Sequence, residues 1–158
     1  MIVVSDTSVI TNLAQIEYLD LLKNLYRRIV IPTHVSDELM HHAGTMNLVK
    51  ECSWIEAVVP TDKKLYEKLL TTLDPGEAAA IVLSKELSAD LLLIDERKGR
   101  RVAKDNGIRI VGLLGVLIDG KQRGTLPDIK PIMDRLIYET GFRVSSGLYQ
   151  RVLREVDE

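Results

Sequence analysis

At 158 residues, 46% hydrophobic and 28% charged with no biased tract, the chain is long enough to bury one core without disulfide or metal staples. A formal net charge of −2 excludes a basic nucleic-acid coat, so any nucleic-acid contact must come from a local patch. A single cysteine, Cys52, excludes an internal disulfide, and one Trp and one Phe disfavour the broad stacking platforms of single-strand binding modules.

Taken in order, Ile2-Val3-Val4-Ser5 reads as a short buried strand that stops at Asp6, with Thr7 and Ser8 leading into a helix. Asp6 also interrupts the basic-then-apolar layout of a signal peptide. Val9, Ile10 and Leu13, then Leu19, Leu22 and Leu25, recur at helical spacing as two short helices broken near Gln15–Glu17. Ile29-Val30-Ile31 is a second strand closed by Pro32. Thr33 to His42 reads as a helix ended by Gly44. Trp54 to Val59 has strand composition. Thr61 is the candidate cap of a helix with Leu65, Leu69 and Leu73 on one face.

Asp74-Pro75-Gly76-Glu77 has the form of a helix start: a capping residue, Pro at the first helical position, and Glu three residues on. Leu91-Leu92-Leu93-Ile94 is the most hydrophobic strand, and it ends in Asp95-Glu96. A helix over Arg97–Asn106 stops at Gly107. A strand at Arg109–Val111 and a helix over Leu113–Lys121 follow. Helices over Asp128–Thr140 and from Ser145 or Ser146 onward close the chain. Strands thus alternate with helices, and three of them are apolar throughout. An α/β fold with a mostly parallel five-stranded sheet is predicted, covered on both faces as a three-layer sandwich. The division expected is a main domain over 1–124 and a helical C-terminal extension over 125–158 packed on it. The longest apolar run, Ile110–Ile118, falls short of the ~18 residues a membrane span needs, so a soluble, cytoplasmic protein is expected.

Two strands share one grammar, an aliphatic run followed by an acid. If both are central and parallel, Asp6 and Asp95 stand at the same edge of the sheet, where open α/β folds bind ligands. Glu77, in the first turn of a helix, and Glu38, in the helix after the second strand, are candidates for the same edge. Carboxylates sharing a site stay ionised together only beside a cation. Oxygen donors without His or Cys point to Mg²⁺ or Mn²⁺, in one or two ions that would activate a water and stabilise the leaving oxygen of a phosphodiester. Each acid also has a plainer reading. Asp6 and Asp95 could be turn formers, Glu77 the return arm of a capping box, and Glu38 a solvated helix residue.

Arg97, Lys98, Arg100, Arg101 and Lys104 place five basic residues and no acid directly after the acidic edge, a candidate rail for a phosphate backbone. Arg97, Arg101 and Lys104 should share one side of the helix while Lys98 and Arg100 splay away. His41 and His42 are adjacent on a helix and point apart, poor geometry for one metal. Ser8 has no His partner for a hydrolase triad, and no phosphate-binding glycine loop is present.

Val4-Ser5-Asp6-Thr7-Ser8, Glu38, Gly76-Glu77-Ala78 and Leu93-Ile94-Asp95-Glu96-Arg97, in this order and spacing, resemble a PIN domain. The likeness is greatest to the bacterial and archaeal branch with a helical C-terminal tail. The resemblance implies a sheet of strand order 3-2-1-4-5 and a Mg²⁺- or Mn²⁺-dependent ribonuclease. It also implies a homodimer that could be the toxin of a type II pair with an antitoxin protein as partner. Its metal ligands map onto Asp6, Glu38, Glu77 and Asp95, with Ser8 as a supporting hydroxyl. Glu77 stands where many relatives carry Asp, so it reaches one methylene further. No Thr precedes the fourth acid, which leaves Asp95 or Glu96 in that place. The alternative function is a non-catalytic PIN-like module that binds nucleic acid or an antitoxin.

Overall fold

The computed structural model describes residues 1–158, and each apolar run read as a strand becomes one. The strands are β1 (Val3–Ser5), β2 (Ile29–Pro32), β3 (Ile55–Val58), β4 (Leu91–Leu93) and β5 (Ile110–Val111). They form one sheet in the order β3-β2-β1-β4-β5, and every pairing is parallel. The chain therefore leaves β1 in one direction through β2 and β3, then returns to its other side with β4. The gap between β1 and β4 is the switch point at which an open α/β sheet offers a crevice.

The helices are α1 (Thr7–Gln15), α2 (Asp20–Tyr26), α3 (Thr33–Met40), α4 (Leu48–Glu51), α5 (Lys63–Leu69), α6 (Pro75–Glu86), α7 (Arg97–Asp105), α8 (Leu113–Gln122), α9 (Lys130–Thr140) and α10 (Ser146–Glu155). Strand side chains alternate between two cores, as the period of two requires. Val3, Ile29, Ile31, Leu91 and Leu93 join one core with the apolar faces of α1, α2, α3, α8, α9 and α10. Val4, Leu92 and Ile94 join the other, with Leu69, Ile81, Leu83 and Ala103 from the α5, α6 and α7 side. Helix α6 is buried from Gly76 to Ser84, so it is apolar nearly all round where a surface helix would show one stripe.

Several boundaries differ from those read in the sequence. Helix α3 stops at Met40, before Gly44, and a further short helix, α4, fills the way to β3. The cap of α5 is Asp62, whose carboxylate accepts the Leu65 N–H at 3.1 Å. Thr61 faces Glu86 instead, donating to it from both its N–H and its hydroxyl. Helix α5 has also ended by Leu70, so Leu73 reaches the core from the following turn. Of the two serines before α10, Ser145 is the cap.

The C-terminal helices are welded to the rest. Ile129, Ile132, Met133, Leu136, Val152, Leu153 and Val156 share the core of β1 and β4. The Glu158 carboxylate accepts the Ile129 and Lys130 N–H groups at the start of α9, at 2.8 and 3.1 Å, and pairs with Lys121 at 2.8 Å. A helix start holds orphan N–H donors that a carboxylate satisfies best. Glu158→Ala should therefore cost about 1–2 kcal/mol in denaturant unfolding. A cost near zero would show that α9 needs no such clasp.

Candidate functional site

Asp6 follows β1 and Asp95 follows β4, and the Asp6 N–H bonds the Leu93 carbonyl at 2.9 Å. Parallel pairing in the register Ser5↔Leu93 thus delivers both acids to the carboxyl edge at the switch point. Helix α6 enters from the same edge. Asp74 caps it by accepting the Glu77 N–H at 2.8 Å, which sets Glu77 in the first turn facing Asp6. Asp6, Ser8, Glu38, Asp74, Glu77 and Asp95 all line one cleft of about 640 Å³. All four predicted acids and the predicted serine therefore come together. Glu96 reaches the same cleft from an exposed position.

Small residues make room for these carboxylates. A Cβ on Gly76 would collide with Glu38 Oε1, one on Gly99 would fall 2.6 Å from Glu77 Oε2, and one on Gly112 2.8 Å from Asp95 Oδ1. Thr7 donates to Glu38 Oε2 at 2.7 Å, so this hydroxyl orients an acid and caps nothing. Asp95 Oδ1 accepts the Leu113 N–H at 2.8 Å, at the start of α8. Its other oxygen, Oδ2, is buried with no partner, and so is Glu77 Oε2. The capping-box reading of Glu77 is thereby limited to its backbone: Asp74 caps it, while one carboxylate oxygen stays unspent.

Asp6 is only 6% exposed. Burial pushes its carboxyl up to about 7 against the opposing pull of the Thr7 backbone, with the charges of Asp74, Glu38 and Asp95 adding smaller pushes. Glu77, 7% exposed, is raised by burial first and then by the Asp74 carboxyl beside it, with Asp6 and Glu96 adding. Asp95 is also raised by burial, against the Leu113 N–H and the Arg100 charge. Burial of these carboxylates, with repulsion from neighbouring acids at Asp6 and Glu77, is what a cation would relieve. The donor set fits a hard divalent ion: all oxygen, acidic, with two buried oxygens lacking any partner. The side chains do not stand as a finished chelate, because no three acids or imidazoles close around one point.

The sequence reading missed Asp74, taken there as a cap alone; its charge reaches both Asp6 and Glu77. Its offset of three residues from Glu77 was the available signal. Asp74→Asn keeps a good cap and removes the charge. Stability should stay within about 0.5 kcal/mol of the parent, while the stabilisation by added Mn²⁺ in thermal melts should shrink. An unchanged Mn²⁺ response would reduce Asp74 to a cap. His41 and His42 both reach the cleft, because α3 has ended at Met40 and adjacent residues beyond a helix need not diverge.

The basic run also differs in detail. Arg97, Arg100, Arg101 and Lys104 line a common groove, whereas Lys98 is exposed and lies outside it. Arg100 joins the others because its guanidinium folds over Gly112, within 2.6 Å of where a Cβ would sit. Arg97 and Lys98 stand at the positive end of α7, a placement the helix dipole disfavours by about 0.3–1 kcal/mol per charge. Helix stability does not account for that choice.

A parallel sheet in this order, with acids from two strand ends and two helices at its switch point, defines a nuclease-type fold of the PIN class. A family model described as a PIN domain matches residues 2–158, and the chain belongs to that family. The match includes α9 and α10. No curated protein matches the chain. No helix is long and apolar enough to cross a membrane.

Proposed function

We propose that the protein is a divalent-metal-dependent endoribonuclease. The observation that carries this reading is the pair of buried oxygens without partners, Glu77 Oε2 and Asp95 Oδ2, in one cleft with Asp6 and Glu38. Asp6, Glu38, Glu77 and Asp95 would hold Mg²⁺ or Mn²⁺, with Glu96 at the rim as an outer acid. A divalent ion supplies such a site with water activation and charge neutralisation for phosphodiester hydrolysis. To hold such an ion, Asp6 and Glu77 would have to release the protons that burial makes them retain. Thr7 keeps Glu38 turned toward the cleft. Arg97, Arg100, Arg101 and Lys104 hold the substrate backbone through its phosphates.

The test is an incubation of structured RNAs with Mn²⁺, with Mg²⁺ and with EDTA. Cleavage in either metal that EDTA abolishes is the expected result; no cleavage in either metal, from folded protein, sinks the reading. One observation favours a rival: the acids form no ready chelate, as suits a non-catalytic module that binds nucleic acid or an antitoxin. That rival gives binding indifferent to EDTA and no cleavage. A toxin role within an antitoxin pair, and a homodimer, rest on the likeness to the tailed PIN branch. Growth arrest on expression, relieved by a co-encoded partner, and the mass of the particle in solution test them.

A further inference from the structure

The acidic cleft adjoins a second groove of about 890 Å³, and both are lined by Asp95, Phe142 and Arg143. One wall of this groove is α7, with the four basic residues described above. The other belongs to the C-terminal segment, which adds Arg143 and Arg151. Between them lie Val111, Leu114, Ile118 and the ring of Phe142, the only phenylalanine in the chain. Six cations thus line the groove against three acids, Asp95, Asp105 and Glu155, a local balance of +3 in a chain of net −2. None of the six takes part in an ion pair.

We propose that this groove holds a single-stranded flank of the nucleic-acid substrate, with Arg143 and Arg151 gripping phosphates opposite α7 and Phe142 stacking a base. The proposal deepens the nuclease reading and rests on it. Unpaired cations on two walls suit a polyanion, and an apolar floor with an aromatic ring suits one that also carries flat apolar groups. A single strand has both, because its bases are free to leave their stack, whereas bases within a duplex are not. The shared lining at Phe142 and Arg143 makes the groove continuous with the acids, as a strand running through a cleavage site requires. The C-terminal segment then supplies half of the substrate channel.

The test is fluorescence anisotropy on the full chain in EDTA, with a short labelled oligoribonucleotide alone and annealed to its complement. The single strand should bind more tightly than the duplex. Arg143→Ala with Arg151→Ala should weaken it about tenfold or more and flatten the salt dependence by about 1.4 in log–log slope. Removing the same charge away from the groove, as Lys63→Ala with Lys68→Ala on α5, should change affinity less than about twofold. Phe142→Leu should cost about fivefold or more while Phe142→Trp retains binding; thermal melts verify folding, and the arginine pair carries the test if the leucine variant fails to fold. Equal affinity for the duplex, no loss in the arginine pair, or displacement of the RNA by polyglutamate as readily as by unlabelled RNA overturns the proposal, the last pointing to an acidic peptide as occupant. Binding read in EDTA is independent of cleavage. A protein that binds this way and never cleaves sinks only the nuclease reading, and one that cleaves yet ignores the arginine pair sinks only the groove.

Discussion

Asp6→Asn should abolish cleavage and at the same time raise the melting temperature of the metal-free protein at pH 8. The two effects have one cause. Folding moves the Asp6 carboxyl from an ordinary 3.8 to about 7. Between those values the folded protein keeps a proton that the unfolded chain has released, so stability falls as pH rises. The penalty is absent below about pH 4 and complete above about pH 7, in a site whose divalent ions have been removed. A rise of this size corresponds to on the order of 4 kcal/mol at most. Asn carries no charge to bury, so a gain of on the order of 2–4 kcal/mol, or about 5–10 °C, is expected at pH 8 in EDTA and little or none at pH 4. Added Mn²⁺ should stabilise the parent and not the variant. Activity should fall at least about 10²-fold, as for loss of a group that holds the reacting charge. A variant less stable than the parent at pH 8, or one that still cleaves, would falsify the assigned role.

Gly99→Ala should also separate activity from stability, here with little change in the latter. Gly99 lies inside α7, where alanine gains about 1 kcal/mol of helix propensity. The new methyl group would sit 2.6 Å from Glu77 Oε2 and 2.8 Å from Ile94 Cδ1, and crowding of that kind costs about 1–3 kcal/mol. Net stability should therefore change by no more than about 2 kcal/mol. Glu77 must move, however, and displacement of a reacting-centre group by about 1 Å is enough for a 10- to 100-fold loss of kcat. Gly147→Ala, in α10 with open space around it, is the control and should leave kcat unchanged. Equal kcat for both alanine variants would mean that the seat of Glu77 does not matter to catalysis.

Much of this arrangement was legible because it is local. The acids at the ends of Val3–Ser5 and Leu91–Leu93 are read directly from aliphatic runs that stop at a carboxylate, and parallel pairing at Ser5↔Leu93 puts them together. The cap by Asp74 was equally local, needing only a spacing of three. The fate of the Glu77 carboxylate was not, because cap and ligand readings use the same spacing and differ only in where the side chain points. The swing of Arg100 toward the groove depends on Gly112, which comes from the far side of β5. Phe142 and Arg143 reach the acids from more than a hundred residues beyond Asp6, a distance at which periodicity says nothing.

By itself, then, the sequence determined the alternation of strands and helices, the apolar faces that bury on both sides of a sheet, and the identity of four acids and a basic run. These follow from side-chain period and hydrophobic burial, which act over a few residues. The tertiary structure decided which oxygens remain unsatisfied, which carboxyls retain protons, and which basic residues share a groove. Those properties depend on packing between distant segments. Burial raises the Asp6 carboxyl, glycines at 76, 99 and 112 let the carboxylates approach, and the C-terminal segment lines the groove beside them.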